Sequence, residues 1–200
     1  MVQQLEKEGV TCIQMNFEGR RKVFSFLVDG MLVDTGAQSI ESDLIPVYKE
    51  LSFDFVALTH SHEDHAGNAS WIQENRDVPL YIHPKGVDRC AEPCTYPKYR
   101  QDIWGIRQSF KALPLEDNIR SRNYEWKVIY TPGHSDDHIS LFHEESGRLF
   151  SGDLFVTPKT KVMMRSESFP QMVNSIRTLL RYDFSSVFAA MLDILRMEKQ

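Results

Sequence analysis

Within the six positions His60-Ser61-His62-Glu63-Asp64-His65 the chain carries three imidazoles and two carboxylates, a donor set suited to a divalent cation. On a helix, residues two apart point to opposite sides, so His60 and His62 converge only from an extended segment or a loop. The preceding run Phe55-Val56-Ala57-Leu58-Thr59 supplies one. Its apolar, β-branched character reads as a buried strand, which would deliver the histidines at its carboxyl end, where open α/β sheets place their sites. The rival reading is a hydrated surface loop that is merely rich in histidine. Only seven histidines occur in 200 residues, three of them here, and His134 and His138 flank a second polar turn, so the clustering favours metal.

The elements that must hold these residues follow from apolar periodicity. Strand-like runs at 11–17, 23–28 and 31–33, separated by the turn signals Glu18-Gly19 and Asp29-Gly30, predict a β-meander. Ile40, Leu44, Val47 and Tyr48 recur at helical spacing, with Pro46 expected to kink or bound that helix. After the histidine cluster, a turn at 66–72 leads into a helix through about Asn75, and 80–82 reads as a short strand. Runs at 126–130, 139–143, 149–151 and 186–190 repeat the strand pattern, and Met172, Ile176, Leu179 and Leu180 make 169–182 an amphipathic helix. Periodicity alone gives the class as α/β.

With 42% hydrophobic residues, 200 residues suit one domain, 1–200, interrupted by an expected helical insertion at about 84–123. That insertion interleaves Lys85, Arg89, Lys98, Arg100 and Arg107 with Tyr96, Tyr99, Trp104 and Phe110. Single-stranded nucleic acid would suit this pattern, but a net charge of −5 opposes it, and an amphipathic lid whose aromatics line a pocket explains the same residues. Neither nucleic acid nor an anionic membrane is expected as a partner; the expected partner is a small-molecule substrate. The first ten residues lack the apolar core of an export signal and no stretch approaches about 18 apolar residues, so a cytoplasmic location is expected. Cys12, Cys90 and Cys94 form an odd set suited to a reducing compartment. Cys90 and Cys94, one turn apart on an expected helix near His83, read as a small metal or redox site or, more simply, as two ordinary thiols.

Taken together, HxHxDH after an apolar strand, Thr131-Pro132-Gly133-His134, Ser151-Gly152-Asp153 and the early Leu32-Val33-Asp34-Thr35-Gly36 turn resemble the metallo-β-lactamase superfamily of metallohydrolases. The resemblance implies an αββα sandwich with metal ligands on loops at one edge between two sheets. It implies His60, His62 and His134 on one metal and Asp64, His65 and Asp153 on a second, with Asp153 bridging and Asp34 hydrogen-bonding beneath the cluster. Zn²⁺ is the expected ion, with iron or manganese as other candidates. The family's last histidine ligand would fall at Met191, a soft thioether that does not replace an imidazole on zinc, so the second metal is expected to be held more weakly. The short stretch after 190, where relatives continue with a helix, is expected to leave apolar surface uncovered, giving either a less stable monomer or a partner that fills the gap.

On this resemblance the activity expected is attack by metal-activated hydroxide on a small ester, lactone or thioester, with Asp64 as both ligand and proton shuttle. Lys159, Lys161 and Arg165, just beyond Asp153, are candidates for holding a substrate carboxylate. Glu63, between residues committed to metal, is expected to face solvent, and His138 to be a hydrogen-bonding core residue. Hydroxyacylglutathione hydrolases share THxHxDH but carry a glutathione-binding extension, so a glutathione thioester is not the first choice. Penicillin-type antibiotics are disfavoured because secreted lactamases carry export signals. Two other classes stay open: a mononuclear iron oxidoreductase on the same scaffold, and a non-catalytic metal-binding homologue.

Overall fold

The computed structural model describes residues 1–17, 21–155, 164, 166–191 and 195–196. A seven-stranded sheet is formed by β1 (Val2–Lys7), β2 (Val10–Phe17), β3 (Arg21–Val28), β4 (Met31–Val33), β5 (Phe55–Ala57), β6 (Leu80–Ile82) and β7 (Leu113–Pro114), each beside the next. The first four strands are antiparallel and the last four parallel, because helices fill the later connections: α1 (Glu41–Glu50), then α2 (Glu63–Ala66) with α3 (Ala69–Asn75), then α4 (Pro84–Ala91) with α5 (Lys98–Trp104). The six-stranded second sheet has the order β13-β12-β11-β10-β9-β8, comprising β8 (Asn118–Arg120), β9 (Glu125–Tyr130), β10 (Ile139–His143), β11 (Arg148–Gly152), β12 (Ser186–Ala189) and β13 (Leu195–Arg196). Helix α6 (Phe169–Leu179) makes the crossover that lets β11 and β12 run parallel.

Strand alternation sorts the apolar residues into three layers. Along β4 and β5, Leu32, Val56 and Leu58 join Leu44 and Tyr48 of α1 and Ile72 of α3 on one face. Met31, Val33, Phe55 and Ala57 turn the other way, into the space between the sheets, where they meet Trp126, Ile139, Leu141, Phe150 and Phe188. On the far side Ile129, Phe142, Leu149 and Val187 pack beneath Leu179, with Met172 and Ile176 of α6 against them. Helix, sheet, sheet, helix is therefore the order of layers, an αββα sandwich.

Four local outcomes depart from the sequence reading. Strand β1 was not anticipated: Gln3, Gln4 and Glu6 are exposed on an edge strand with little apolar signal. Pro46 lies inside α1 rather than ending it. The stretch 84–123 holds helices α4 and α5 but also β7 and β8, so it is not wholly helical. Cys90 lies in the last turn of α4 while Cys94 lies beyond it, its thiol directed at the Arg107 carbonyl, and burial pushes the Cys90 thiol up to about 12. Neither is placed as a reactive pair. Among the described residues no helix is long and apolar enough to cross a membrane.

Candidate metal centre

Asp34 follows β4, the histidine motif follows β5, Asp153 follows β11, and His134 stands in the turn from β9 to β10, so one edge of the sandwich collects every one of them. Tight backbone contacts bring the first two turns together. Asp34 adopts φ 60, a left-handed conformation uncommon for a residue with a side chain. The Thr35 N–H donates to the His65 carbonyl at 2.6 Å, and the Gly67 N–H donates to the Gly36 carbonyl at 2.9 Å. A Cβ on Gly67 would lie 2.5 Å from the Glu63 carbonyl and 2.6 Å from that of Gly36, so glycine alone permits the approach.

The ring nitrogens of three histidines meet at the surface end of this edge. His62 Nδ1 lies 3.0 Å from His60 Nε2 and 3.0 Å from His134 Nε2. Two of the rings are oriented from behind. His60 Nδ1–H donates to Thr59 Oγ1 at 3.0 Å, whose hydroxyl passes on to Asp34 at 2.8 Å. His134 Nδ1–H donates to Glu167 Oε1 at 2.7 Å. With those protons on the outer nitrogens, Nε2 of each ring points its lone pair at the cluster, and lone pairs converging at 3.0 Å repel unless a cation or proton sits among them. Burial, with the neighbouring imidazoles next, holds His60 and His62 well below the usual histidine range.

A second convergence adjoins the first. His65 Nδ1–H donates to Asp34 Oδ2 at 2.8 Å, which turns Nε2 toward Asp153 Oδ1 at 3.4 Å and Asp64 Oδ2 at 3.8 Å. Asp153 directs its other oxygen to His134 Nε2 at 3.6 Å, so its carboxylate faces both groups. Two buried atoms, His65 Nε2 and Asp153 Oδ1, have no hydrogen-bond partner among the described residues. Orphaned polar atoms in a dry site are costly, and a cation between them removes that cost. Burial works against the charge on both groups, yet attraction to Asp153, Asp34 and Asp64 raises His65 well above its ordinary value, and the surrounding imidazoles hold Asp153 down to about 2. The triads His60/His62/His134 and His60/His65/Asp153 each gather donor atoms within 4.8 Å of one another.

His138 is not in either triad. Its Nε2 accepts from the Asp153 N–H at 3.1 Å and its Nδ1–H donates to Thr131 Oγ1 at 2.9 Å. Both nitrogens are spent on hydrogen bonds, and burial lowers the group to about 3, so it is a neutral support for Asp153. Met191 follows β12 half-buried, packed against the helix-covered core of the first sheet. Lys159, Lys161 and Arg165 lie outside the described residues.

Glu63 overturns an expectation. Instead of facing solvent it is 2% exposed, paired with Arg100 Nε from α5. Burial raises its carboxyl, with Asp64 adding to the rise and Arg100 opposing it. Glu167 and Asp137 were not singled out by the sequence reading at all. Asp137 is fully buried: Oδ2 accepts from the Ser61 N–H at 3.0 Å, and Oδ1 accepts from Ser135 Oγ at 2.7 Å. Arg89 Nη1 spans the same joint, 3.3 Å from both Ser61 Oγ and Asp137 Oδ1. Since Ser61 separates His60 from His62 and Ser135 follows His134, this carboxylate ties together the turns that carry all three histidines.

Two mixed sheets between helices, with imidazole and carboxylate clusters at the strand ends, define a metal-binding αββα sandwich. The chain belongs to the metallo-beta-lactamase superfamily, whose family model matches residues 19–199. Membership together with the paired His/Asp clusters implies binding of divalent metal. The chain is 32% identical over 124 residues to the probable metallo-hydrolase YflN of Bacillus subtilis, covering 54% of this chain and 47% of that protein. It is 30% identical over 138 residues to the probable metallo-hydrolase YybB of the same organism, covering 67% and 62%. The matches thus span less than two thirds of the length of either relative. The solved structure of TTHA1623 in a di-iron-bound form shares the fold with a TM-score of 0.67 at 20% identity, covering 98% of this chain and 94% of that one.

Proposed function

We propose that this chain is a zinc-dependent hydrolase of a small ester, lactone or thioester. The observation that carries the reading is the meeting of three imidazole nitrogens at 3.0 Å spacing beside the orphaned pair His65 Nε2 and Asp153 Oδ1. His60, His62 and His134 would hold one cation, and Asp64, His65 and Asp153 the other. Bound divalent ions supply a nucleophile by lowering the pKa of water to about 7, and they polarise a carbonyl oxygen. The remaining work falls to the protein. Thr59, Asp34 and Glu167 keep the outer ring nitrogens protonated so that the inner ones stay available. Asp64 lies 3.8 Å from both His65 Nε2 and Arg100 Nη2, beyond hydrogen-bond reach of either, which leaves its carboxylate free to accept a proton and return it to a leaving group. The buried edge excludes bulk water around these groups.

Names of relatives also support the hydrolase class, since YflN and YybB are both called probable metallo-hydrolases. The test is elemental analysis of the purified chain followed by a screen of esters, lactones and thioesters after zinc loading. Zinc bound, with turnover abolished by His62→Ala and by Asp64→Asn, is the expected result. One iron per chain with oxygen consumption would replace this reading by an oxidoreductase, and bound metal with no turnover would replace it by a non-catalytic metal protein.

A further inference from the structure

A cavity of about 350 Å³ lies between α4, α5 and the histidine turn, with Ser61, His62 and Glu63 on its inner side and Arg89, Tyr96 and Arg100 among its walls. Apart from Pro93, Cys94 and Pro97, its described lining residues all carry a polar or charged group. A long acyl chain would therefore strand polar groups there, whereas a short polar substrate would not.

The charges on its walls are unequally satisfied. Arg89 is matched by Asp136 and Asp137. Arg107, buried at 3% exposure, donates to the backbone carbonyls of Arg89, Cys90, Glu92 and Gln108, so it caps the end of α4 and keeps its charge without a carboxylate partner among the described residues. Glu92 lines the cavity but is exposed, and water screens it. Arg100 is the informative one. Its Nε is paired with Glu63, but among the described residues Nη1 reaches the Met164 thioether at 2.6 Å and no oxygen, and Nη2 lies 3.8 Å from Asp64 Oδ1. A thioether is a weak acceptor, so among the described residues the terminal fork of a side chain only 11% exposed has no oxygen partner within hydrogen-bond reach. A planar fork in a desolvated wall is the geometry that binds a carboxylate with two parallel hydrogen bonds.

We propose that this cavity is the subsite for a carboxylate carried by the substrate, and that the terminal nitrogens of Arg100 bind it and set specificity. The proposal rests on the hydrolase reading of the adjacent centre and narrows its substrates to short anionic carbonyl compounds. It differs from the basic loop first suspected, because the cation comes from α5 and not from the segment after Asp153.

The test compares glutaryl and glutaramoyl thioesters of N-acetylcysteamine, which differ by carboxylate against amide, on the zinc-loaded full chain. The parent is expected to favour the glutaryl compound by about tenfold in kcat/KM, carried by KM. Arg100→Lys keeps a positive partner for Glu63 but loses the fork, and should bring the two substrates within about threefold while zinc content stays at the parent level. Should Arg100→Lys fail to fold, the double variant E63Q/R100Q retains a neutral hydrogen-bonding pair and should show the same loss of preference. A parent without the preference, a preference that survives in the variants, or a variant that loses zinc would each overturn the assignment. If neither thioester turns over, the hydrolase reading is decided by the wider screen of esters, lactones and thioesters, and calorimetry with glutarate and glutaramide decides the anion site. Glutarate should bind the parent about tenfold more tightly than it binds Arg100→Lys; equal affinities would sink the proposal.

Discussion

Glu167 does for His134 what Asp34 does for His65: a carboxylate behind the ring accepts the Nδ1 proton and so decides which nitrogen faces the cluster. Its second oxygen accepts from the Met164 N–H at 2.6 Å, so the carboxylate is itself held in place. Burial pushes the Glu167 carboxyl up, but the hydrogen bonds from His134 and Met164 outweigh it and keep the group below the ordinary glutamate value. Removing such a support leaves the ligand present but free to rotate or to carry its proton on the wrong nitrogen, which commonly costs about 10- to 100-fold in metal affinity. Glu167→Ala is therefore expected to weaken zinc binding by about that factor, read by competition with a chromophoric chelator. An affinity equal to the parent would show that His134 is oriented by something else. The asymmetry between this residue and the histidines explains what a sequence can reveal here. Four of the ligand candidates, His60, His62, Asp64 and His65, advertise themselves by type and local spacing, whereas Glu167 reaches His134 from 33 positions away with no motif of its own.

Between elements, the decisive contacts join turns that are remote in the chain. Asp137 meets Ser61 across 76 positions and Glu63 meets Arg100 across 37, which is why one escaped notice and the other was assigned to solvent. Most strands and helices were legible as separate elements because their apolar residues repeat every second or every third to fourth position, while the sandwich was implied by the family resemblance; edge strands β1 and β7 were not legible, being polar or only two residues long. Asp137→Ala should cost about 2–3 kcal/mol, since it leaves the Ser61 N–H unpaired in a buried joint, with the Arg89 pair discounted for that side chain's partial exposure. Urea denaturation measures it, and a loss below about 0.5 kcal/mol would mean that the two histidine turns do not depend on this joint. A different tie fixes the other end of the molecule. Asp29, between β3 and β4, accepts from Ser121 Oγ at 2.5 Å and from the Asn123 N–H at 2.6 Å on the β8–β9 hairpin. Burial acts against its charge, but these bonds outweigh it and lower the carboxyl below 3.8. A depressed acid stabilises the fold fully above its unfolded value and loses that contribution as pH falls through its folded value. The gap in thermal midpoint between Asp29→Asn and the parent should thus be present at pH 7 and shrink as pH falls below 3.8 and through the lowered folded value; a gap unchanged with pH would contradict the linkage.

At the scale of the whole molecule, the edge of the sandwich concentrates an unusual load of buried ionisable groups: Asp34, His60, Glu63, Asp64, His65, Asp137, His138 and Asp153 are each at most 4% exposed. Most have partners among themselves, but His65 Nε2 and Asp153 Oδ1 do not, and the three nitrogens of His60, His62 and His134 present lone pairs to one another. Without a cation the fold carries this as a standing cost, because the donors come from turns after β4, β5, β9 and β11 and their backbone contacts hold them together. Such preorganisation makes metal binding and folding stability linked quantities, since an unfolded chain scatters the donors and binds the ion weakly. Zinc at a free concentration of 100 times its Kd should add about 2.7 kcal/mol to stability. For a chain of this size, that corresponds to a rise of roughly 5–10 °C in thermal midpoint. The rise should be reversed by a chelator, and it should be cut back in His62→Ala, which removes the nitrogen at the centre of the first triad. Differential scanning fluorimetry against zinc concentration reads all three, and a parent whose midpoint ignores zinc and chelator alike would show that the two convergences at this edge do not bind the ion.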